Sequence, residues 1–198
     1  MLSLPLYLTF LTFSLPQIFS LDTIDITGAS RCGLTTKFLK NQLAPLLAEF
    51  QQVPDELKIT YHAIAEGSQR VNGSMYATCS SGWLECELSK LQTCAKRYIR
   101  SKNTTEMLST VICIQGQSTL EKGVNCLPRG NLGIQIQRCA SSQEGEKLLI
   151  AEPFPWNADI WFPFIKINGK PSNDAKRYLK KVVCELPSAR NEKACRAK

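Results

Sequence analysis

Hydrophobic and polar residues recur along the first third of the chain with the periods of strands and helices. Residues 22–27 and 57–65 alternate between apolar and polar side chains and include β-branched residues, which predicts two strands. Between them, apolar residues recur at helical spacing over positions 34–50, which predicts a helix. Pro45 lies within this apolar stripe, and because the stripe continues beyond it, we expect a kink rather than a helix end. The strand–helix–strand order predicts a right-handed crossover and a parallel pair of strands.

The middle of the chain is predicted to be mainly helical. Residues 83–99 carry apolar side chains on one side of a predicted helix. Residues 103–106 and 118–121 have the spacing of capping boxes, which mark the starts of two further helices. We therefore expect an all-helical insertion over about residues 81–152.

The end of the chain returns to a strand and a helix. A short strand is predicted around residues 164–167, and the dipeptide Asn168-Gly169 after it is a strong turn signal. A helix is expected from about Asp174, with Ser172 or Asn173 as its cap. This layout predicts an α/β, thioredoxin-like fold with an all-helical insertion, formed by a single domain of residues 21–198.

The first 20 residues are apolar and carry no charged side chain. Pro5 and Pro16 interrupt them, and small residues near Ser20 offer a cleavage site, so a signal peptide over residues 1–20 is predicted. The alternative is an uncleaved anchor helix, but a membrane span takes about 20 unbroken apolar residues. A secreted protein with no membrane association after cleavage is expected.

Secretion determines how the nine cysteines are interpreted. In an oxidising compartment most of them should be bridged, and the odd count leaves one thiol over. Two Asn-x-Ser/Thr sequences, at Asn72 and Asn103, are predicted glycosylation sites on the exposed surface. The cysteine spacing contains no Cys-x2-Cys pair, and His62 is the single histidine, so no metal site is predicted.

The formal charge of +7 does not indicate a nucleic-acid partner. Secretion argues against one, and the two dense basic runs, residues 95–102 and 175–181, fit the solvated faces of helices. A basic surface that attracts acidic ligands or membranes is the alternative. His62 is interpreted as a half-buried strand residue. The three tryptophans are interpreted as packing residues of the core or of loops: Trp83, Trp156 and Trp161.

Cys32 is the candidate nucleophile, because it lies between the first strand and the first helix. Free backbone N–H groups and the helix dipole at a helix start stabilise a thiolate. A thiolate attacks disulfides and forms a mixed disulfide. Gly33 would leave the approach to the sulfur open. A cis bond before Pro163 would turn the backbone of Phe162 toward Cys32 and offer its polar groups to an extended substrate, whereas an ordinary proline at a strand entry is the alternative.

Residues 79–94, CSSGWLECELSKLQTC, resemble the signature of the gamma-interferon-inducible lysosomal thiol reductase family, C-Q-H-G-x2-E-C-x2-N-x4-C. Five positions match at the family's spacing: Cys79, Gly82, Glu85, Cys86 and Cys94. Ser80, Ser81 and Ser89 replace the family's Gln, His and Asn. The segments CGLTTKFLKNQLAP and FPFIKINGKP are similar to the family as well, so the resemblance covers essentially the whole mature chain.

The resemblance implies a thioredoxin-like fold in a protein that is lysosomal or secreted. It also implies reduction of disulfides in proteins that are being unfolded for proteolysis at acid pH. The family's active site is Cys-x-x-Cys, in which the second cysteine releases the reduced substrate. Cys32 matches the first cysteine, but Thr35 stands in place of the second. No cofactor is expected, and release would depend on an external small thiol such as cysteine or glutathione. Thr35 could donate a hydrogen bond to the Cys32 sulfur.

Four functions are compatible with these residues. The first is a monothiol reductase or disulfide exchanger acting on disulfide-containing proteins, and the second is a module that binds or traps client chains. The third is a structural protein with an inert Cys32, and the fourth is a covalent dimer through Cys32 in place of the expected monomer. We predict that Cys32 is the free thiol and that Cys184 pairs with Cys195, since few residues separate them. The predicted structural disulfides use the other eight cysteines: Cys79, Cys86, Cys94, Cys113, Cys126, Cys139, Cys184 and Cys195.

Overall fold

The computed structural model describes residues 21–99, 103–153 and 161–196. A four-stranded sheet has the order β2-β1-β5-β6. In it, β1 (Asp22–Gly28) pairs in parallel with β2 (Leu57–Ala63) and antiparallel with β5 (Phe164–Ile167). The predicted parallel pair is confirmed, although β2 ends two residues before the predicted end. A two-residue strand, β6 (Lys170–Pro171), follows the predicted turn and was not expected.

The first helix runs without a break from Gly33 to Phe50, as the continuous apolar stripe predicted. It consists of α1 (Gly33–Phe38), a π-helical turn (Leu39–Leu43) and α2 (Ala44–Phe50), which has Pro45 in its first turn. The wider π turn relieves the clash that a proline ring makes with the carbonyl four residues earlier. Leu39, Leu43 and Leu46 are buried, which explains why the helix continues past the proline.

A second, two-stranded sheet was missed by the sequence analysis. The strands β3 (Gly67–Val71) and β4 (Ser74–Thr78) pair antiparallel around the dipeptide Asn72-Gly73, both residues of which have positive φ. None of its residues is fully buried, so the apolar alternation that marks a half-buried strand is absent. Asn72 is exposed at the tip of this hairpin. Its glycosylation stays a prediction.

Among the described residues, five helices lie between β4 and β5, within the predicted insertion: α3 (Trp83–Tyr98), α4 (Thr104–Ile114), α5 (Leu120–Val124), α6 (Asn131–Ala140) and α7 (Gln143–Ile150). Three short helices end the described chain: α8 (Asp174–Arg177), α9 (Leu179–Cys184) and α10 (Lys193–Arg196). None of the helices in the described ranges is both long and apolar enough to cross a membrane.

The predicted helix caps are partly wrong. Thr119 rather than Ser118 caps α5, because its hydroxyl accepts a hydrogen bond from the Lys122 N–H (3.2 Å). Asn103 does not cap α4, since its amide donates to the Glu106 carboxylate instead (2.9 Å). At the start of α8, the Ser172 hydroxyl accepts from the Ala175 N–H.

All nine cysteines lie in the described part of the chain, and the structure leaves Cys32 free, as expected from the sequence. Four disulfides join the others: Cys79–Cys86, Cys94–Cys139, Cys113–Cys126 and Cys184–Cys195. The prediction that the tryptophans pack is wrong for Trp83 and Trp161, which are 67% and 75% exposed. Trp156, the predicted signal peptide and residues 100–102 of the first basic run lie outside the described residues.

Candidate active site

Cys32 lies where the first strand passes into the first helix. Its N–H donates to the Ala29 carbonyl (3.1 Å), and its own carbonyl accepts from the Thr36 N–H (2.9 Å). Cys32 therefore occupies the N-cap position of α1, with extended backbone geometry. Its side chain is partly exposed and in no disulfide. An unpaired, accessible cysteine at this position has the geometry that attack on an external disulfide requires.

Thr35 is fully buried one helical turn after Cys32. Its side chain packs against Gly28 so closely that a Cβ added to Gly28 would lie 2.5 Å from the Thr35 methyl carbon. The Thr35 hydroxyl has no hydrogen-bond partner among the described residues. The Gly28 carbonyl beside it already accepts from the Tyr61 hydroxyl (3.1 Å) and the Ile64 N–H (3.2 Å). The prediction that Thr35 donates a hydrogen bond to the Cys32 sulfur is therefore wrong, because the hydroxyl packs against Gly28 instead.

Thr35→Val should leave the protein at least as stable as the wild type. Valine has the same shape, and the substitution removes a buried hydroxyl without a partner, so we expect the free energy of unfolding to be unchanged or higher by about 1 kcal/mol. The alkylation rate of Cys32 should not change. Urea unfolding and iodoacetamide labelling check both expectations. A slower alkylation would show that the hydroxyl assists the Cys32 thiolate after all.

Phe162 and Pro163 precede β5 at the same end of the sheet at which Cys32 follows β1. Their peptide bond is cis, as expected. Phe164, the first residue of β5, lies opposite Thr27 near the end of β1. The register therefore places Pro163 beside the end of β1, just before the loop that carries Cys32. Gly33 is exposed, and a Cβ added there would meet no atom within 4 Å. The substrate-binding roles of Gly33 and Phe162 stay predictions.

Buried polar residues that the sequence analysis did not single out support the loop before Cys32. The Ser30 hydroxyl donates to the Glu85 carbonyl (2.8 Å), and the Ser30 carbonyl accepts from the Gly116 N–H (2.8 Å). The Gln115 amide donates to the Ala29 carbonyl (2.9 Å). The helical insertion thus holds the active-site loop through three hydrogen bonds. Glu85 matches the family signature, but its contact with Ser30 uses the backbone carbonyl, so no residue type in the sequence indicated it.

Tyr61 and Glu85 are buried below the same loop. Burial, and next the nearby Cys32 and the carboxylates of Glu85 and Glu152, raise the pKa of Tyr61 above its usual range. The phenol therefore stays protonated and acts as a donor. The Glu85 carboxylate accepts from the Ser81 N–H and the Ser80 hydroxyl, both at 3.4 Å. These contacts favour local stabilisation of the α3 start as the role of Glu85.

His62 does not belong to this site. Adjacent strand residues face opposite sides of a sheet, so His62 points away from the side that carries Tyr61. Its Nδ1 lies 2.8 Å from the Glu152 carboxylate, and its Nε2 lies 3.4 Å from the Asp25 carboxylate. Lys96 also forms an ion pair with Glu152. The interpretation of His62 as a half-buried strand residue is confirmed.

Comparison with known proteins agrees with the signature. The family model described as gamma interferon inducible lysosomal thiol reductase (GILT) matches residues 23–130. A GILT-like protein of Caenorhabditis briggsae is 26% identical over 171 residues, which cover 80% of this chain and 76% of the relative. The gamma-interferon-inducible lysosomal thiol reductase of Mus musculus is 24% identical over 165 residues, covering 79% of this chain and 64% of that protein. The aligned part of the chain thus spans less than two thirds of the length of the mouse relative.

A solved structure shows the fold. Reduced DsbA from Mycobacterium tuberculosis superposes with a TM-score of 0.52, covering 88% of this chain and 87% of the DsbA chain at 9% identity. The predicted thioredoxin-like fold is therefore confirmed. The matched family segment contains Cys32, Thr35 and the whole signature of residues 79–94, and it accounts for more than half of the chain. The chain belongs to the gamma interferon inducible lysosomal thiol reductase family of thiol-disulfide oxidoreductases.

Proposed function

We propose that the protein reduces or exchanges protein disulfides through a single nucleophilic cysteine, Cys32. One observation carries the proposal. Cys32 is free and partly exposed at a helix start, whereas the other eight cysteines are paired and the second active-site position holds Thr35. The chain has a first active-site thiol but no second one beside it.

The reaction needs an external thiol to be completed. The Cys32 thiolate attacks one sulfur of a substrate disulfide, forms a mixed disulfide and releases the other substrate sulfur as a thiolate. Thr35 has no sulfur with which to resolve this intermediate. A small thiolate, such as cysteine or glutathione, attacks the Cys32 sulfur and releases the second substrate thiol. A second small thiol then regenerates Cys32, so two small thiols are oxidised to one disulfide while the substrate gains two thiols.

Exposed apolar side chains next to the site support protein substrates. Leu34, two residues after Cys32, is 55% exposed, and Trp161, two residues before Pro163, is 75% exposed. Large apolar side chains left exposed near a reactive group suit the apolar segments of unfolded proteins. Four disulfides and the lysosomal relative support a secreted or lysosomal location.

A trapping module is the second candidate function, and Thr35 is the observation that favours it. Without a second thiol, the mixed disulfide between Cys32 and a client chain persists until an external thiol arrives. A long-lived covalent complex would hold the client rather than reduce it. The two functions differ in how fast small thiols release the substrate.

Trapping of a substrate on Cys32 tests the proposal. The purified chain is mixed with a denatured, disulfide-containing protein in the absence of reductant, and the linked cysteines are mapped by mass spectrometry. We expect a mixed disulfide on Cys32, no such complex with Cys32→Ser, and repeated turnover when millimolar cysteine is added. A complex that millimolar thiol does not release would favour trapping. Absence of any adduct on Cys32 would exclude both functions.

A further inference from the structure

Gln115, the residue that follows α4, is fully buried beneath the Cys32 loop, although it is far from Cys32 in the sequence. Its side-chain oxygen accepts from the Gln92 amide (2.9 Å) and lies 3.1 Å from the Tyr61 hydroxyl, whose single proton it shares with the Gly28 carbonyl. Its side-chain nitrogen donates to the Ala29 carbonyl (2.9 Å) and to the Thr36 hydroxyl oxygen (3.1 Å). An amide group has two donors and two acceptor sites, so every hydrogen-bonding position of this side chain is occupied.

The orientation of the Gln115 amide is set by its partners. The Ala29 carbonyl can only accept a hydrogen bond, so the amide nitrogen must face the loop. On the other side, the Gln92 amide nitrogen lies 2.9 Å away, and because a nitrogen donor needs an acceptor, the amide oxygen of Gln115 must face it. The Gln92 amide is oriented in turn by its hydrogen bond to the Val111 carbonyl (3.1 Å), which can only accept. The amide therefore presents two N–H groups to the active-site loop in a fixed direction.

The two N–H groups of Gln115 are linked by hydrogen bonds to the N–H and to the carbonyl of Cys32, each through one intermediate residue. The Ala29 carbonyl accepts from Gln115 and also from the Cys32 N–H (3.1 Å). The Thr36 hydroxyl accepts from Gln115 and donates to the Cys32 carbonyl (2.9 Å). Cys32 is thus held on its N–H side and on its carbonyl side by the same buried amide.

We propose that Gln115 is a positioning residue for Cys32: it fixes the nucleophile at the helix start by bridging Ala29 and Thr36. The inference rests on the proposed function of Cys32 as the attacking thiol. A thiolate gains from the free N–H groups of a helix start only while its backbone stays at the N-cap, and small displacements of a reacting group slow a reaction severely. Loss of the bridge should therefore slow attack by Cys32 without weakening substrate binding.

Gln115→Met tests this inference, because methionine has a similar length but neither donates nor accepts through an amide. We expect single-turnover mixed-disulfide formation and iodoacetamide labelling of Cys32 to slow by about tenfold to a hundredfold. The substrate concentration that gives half-maximal rate should stay the same. Gln117→Met is the matched control. The Gln117 amide donates hydrogen bonds to the Cys113 carbonyl and to the Cys126 sulfur, not to the Cys32 loop. Both rates of this control should therefore equal those of the wild type.

A second pair of variants keeps the inference testable if Gln115→Met does not fold. Thr36→Ser keeps the hydroxyl that links Gln115 to the Cys32 carbonyl, whereas Thr36→Val removes it and keeps the shape. We expect the serine variant to label and react like the wild type and the valine variant to be slowed about tenfold. Equal rates in the two variants, or a folded Gln115→Met protein with wild-type rates, would overturn the inference. If wild-type Cys32 formed no mixed disulfide at all, the proposed function would fail instead, while the labelling rates would still test the positioning.

Discussion

Thr35→Cys should raise multiple-turnover disulfide reduction by about tenfold or more when the external thiol is limiting. The position is three residues after Cys32 in the first helical turn, where Cα separations suit a disulfide, which needs about 4.4–6.8 Å. The buried Thr35 side chain already occupies space that a sulfur atom could take against Gly28. A thiol held there can attack the mixed disulfide within the same molecule, so the substrate no longer waits for an external thiol.

Reduction of a disulfide-linked substrate at several glutathione concentrations, together with the lifetime of the mixed disulfide, checks this expectation. Thr35→Ser is the matched control, because it changes the same side chain but adds no sulfur, and it should give no gain. The gain of the cysteine variant should disappear at high external thiol. If the new thiol forms a disulfide with Cys32 and turnover does not rise, the site binds substrates unproductively, and the trapping function is favoured.

Removing the disulfide between Cys94 and Cys139 by the double variant Cys94→Ala/Cys139→Ala should lower the free energy of unfolding by about 4 kcal/mol. This bridge joins α3 to α6 across a sequence separation of 45, so it restricts the unfolded chain strongly. Both cysteines are buried in the core, and their loss also removes packing atoms. The expected loss is a large share of the total stability of an ordinary domain.

Urea unfolding followed by circular dichroism measures this loss. Cys184→Ala/Cys195→Ala is the natural comparison, because that bridge closes a separation of 11 at the end of the chain. Its removal should cost about 3 kcal/mol. The comparison would contradict the argument if the Cys94–Cys139 variant were as stable as the wild type or lost less stability than the Cys184–Cys195 variant.

The strands and helices that carry the core could be predicted because burial leaves a periodic pattern. β1, β2 and the helix through Pro45 each bury one side, and each was predicted within about two residues. The β3–β4 hairpin was missed for the opposite reason, since none of its residues is fully buried. Trp83 and Trp161 were misjudged because hydrophobicity alone does not tell whether a neighbouring element covers a side chain.

By itself the sequence determined the family, the fold class, the candidate nucleophile Cys32 and the absence of a cysteine at position 35. These properties depend on residue identity and local spacing, which the sequence gives directly. Only the tertiary structure decided that the Thr35 hydroxyl packs against Gly28 and that Gln115 bridges the Cys32 loop. Gln115 and Ala29 are 86 residues apart, and a buried glutamine at a helix end has the same local sequence pattern as an exposed one. Long-range hydrogen bonds of this kind exist only once packing has brought their donors and acceptors together.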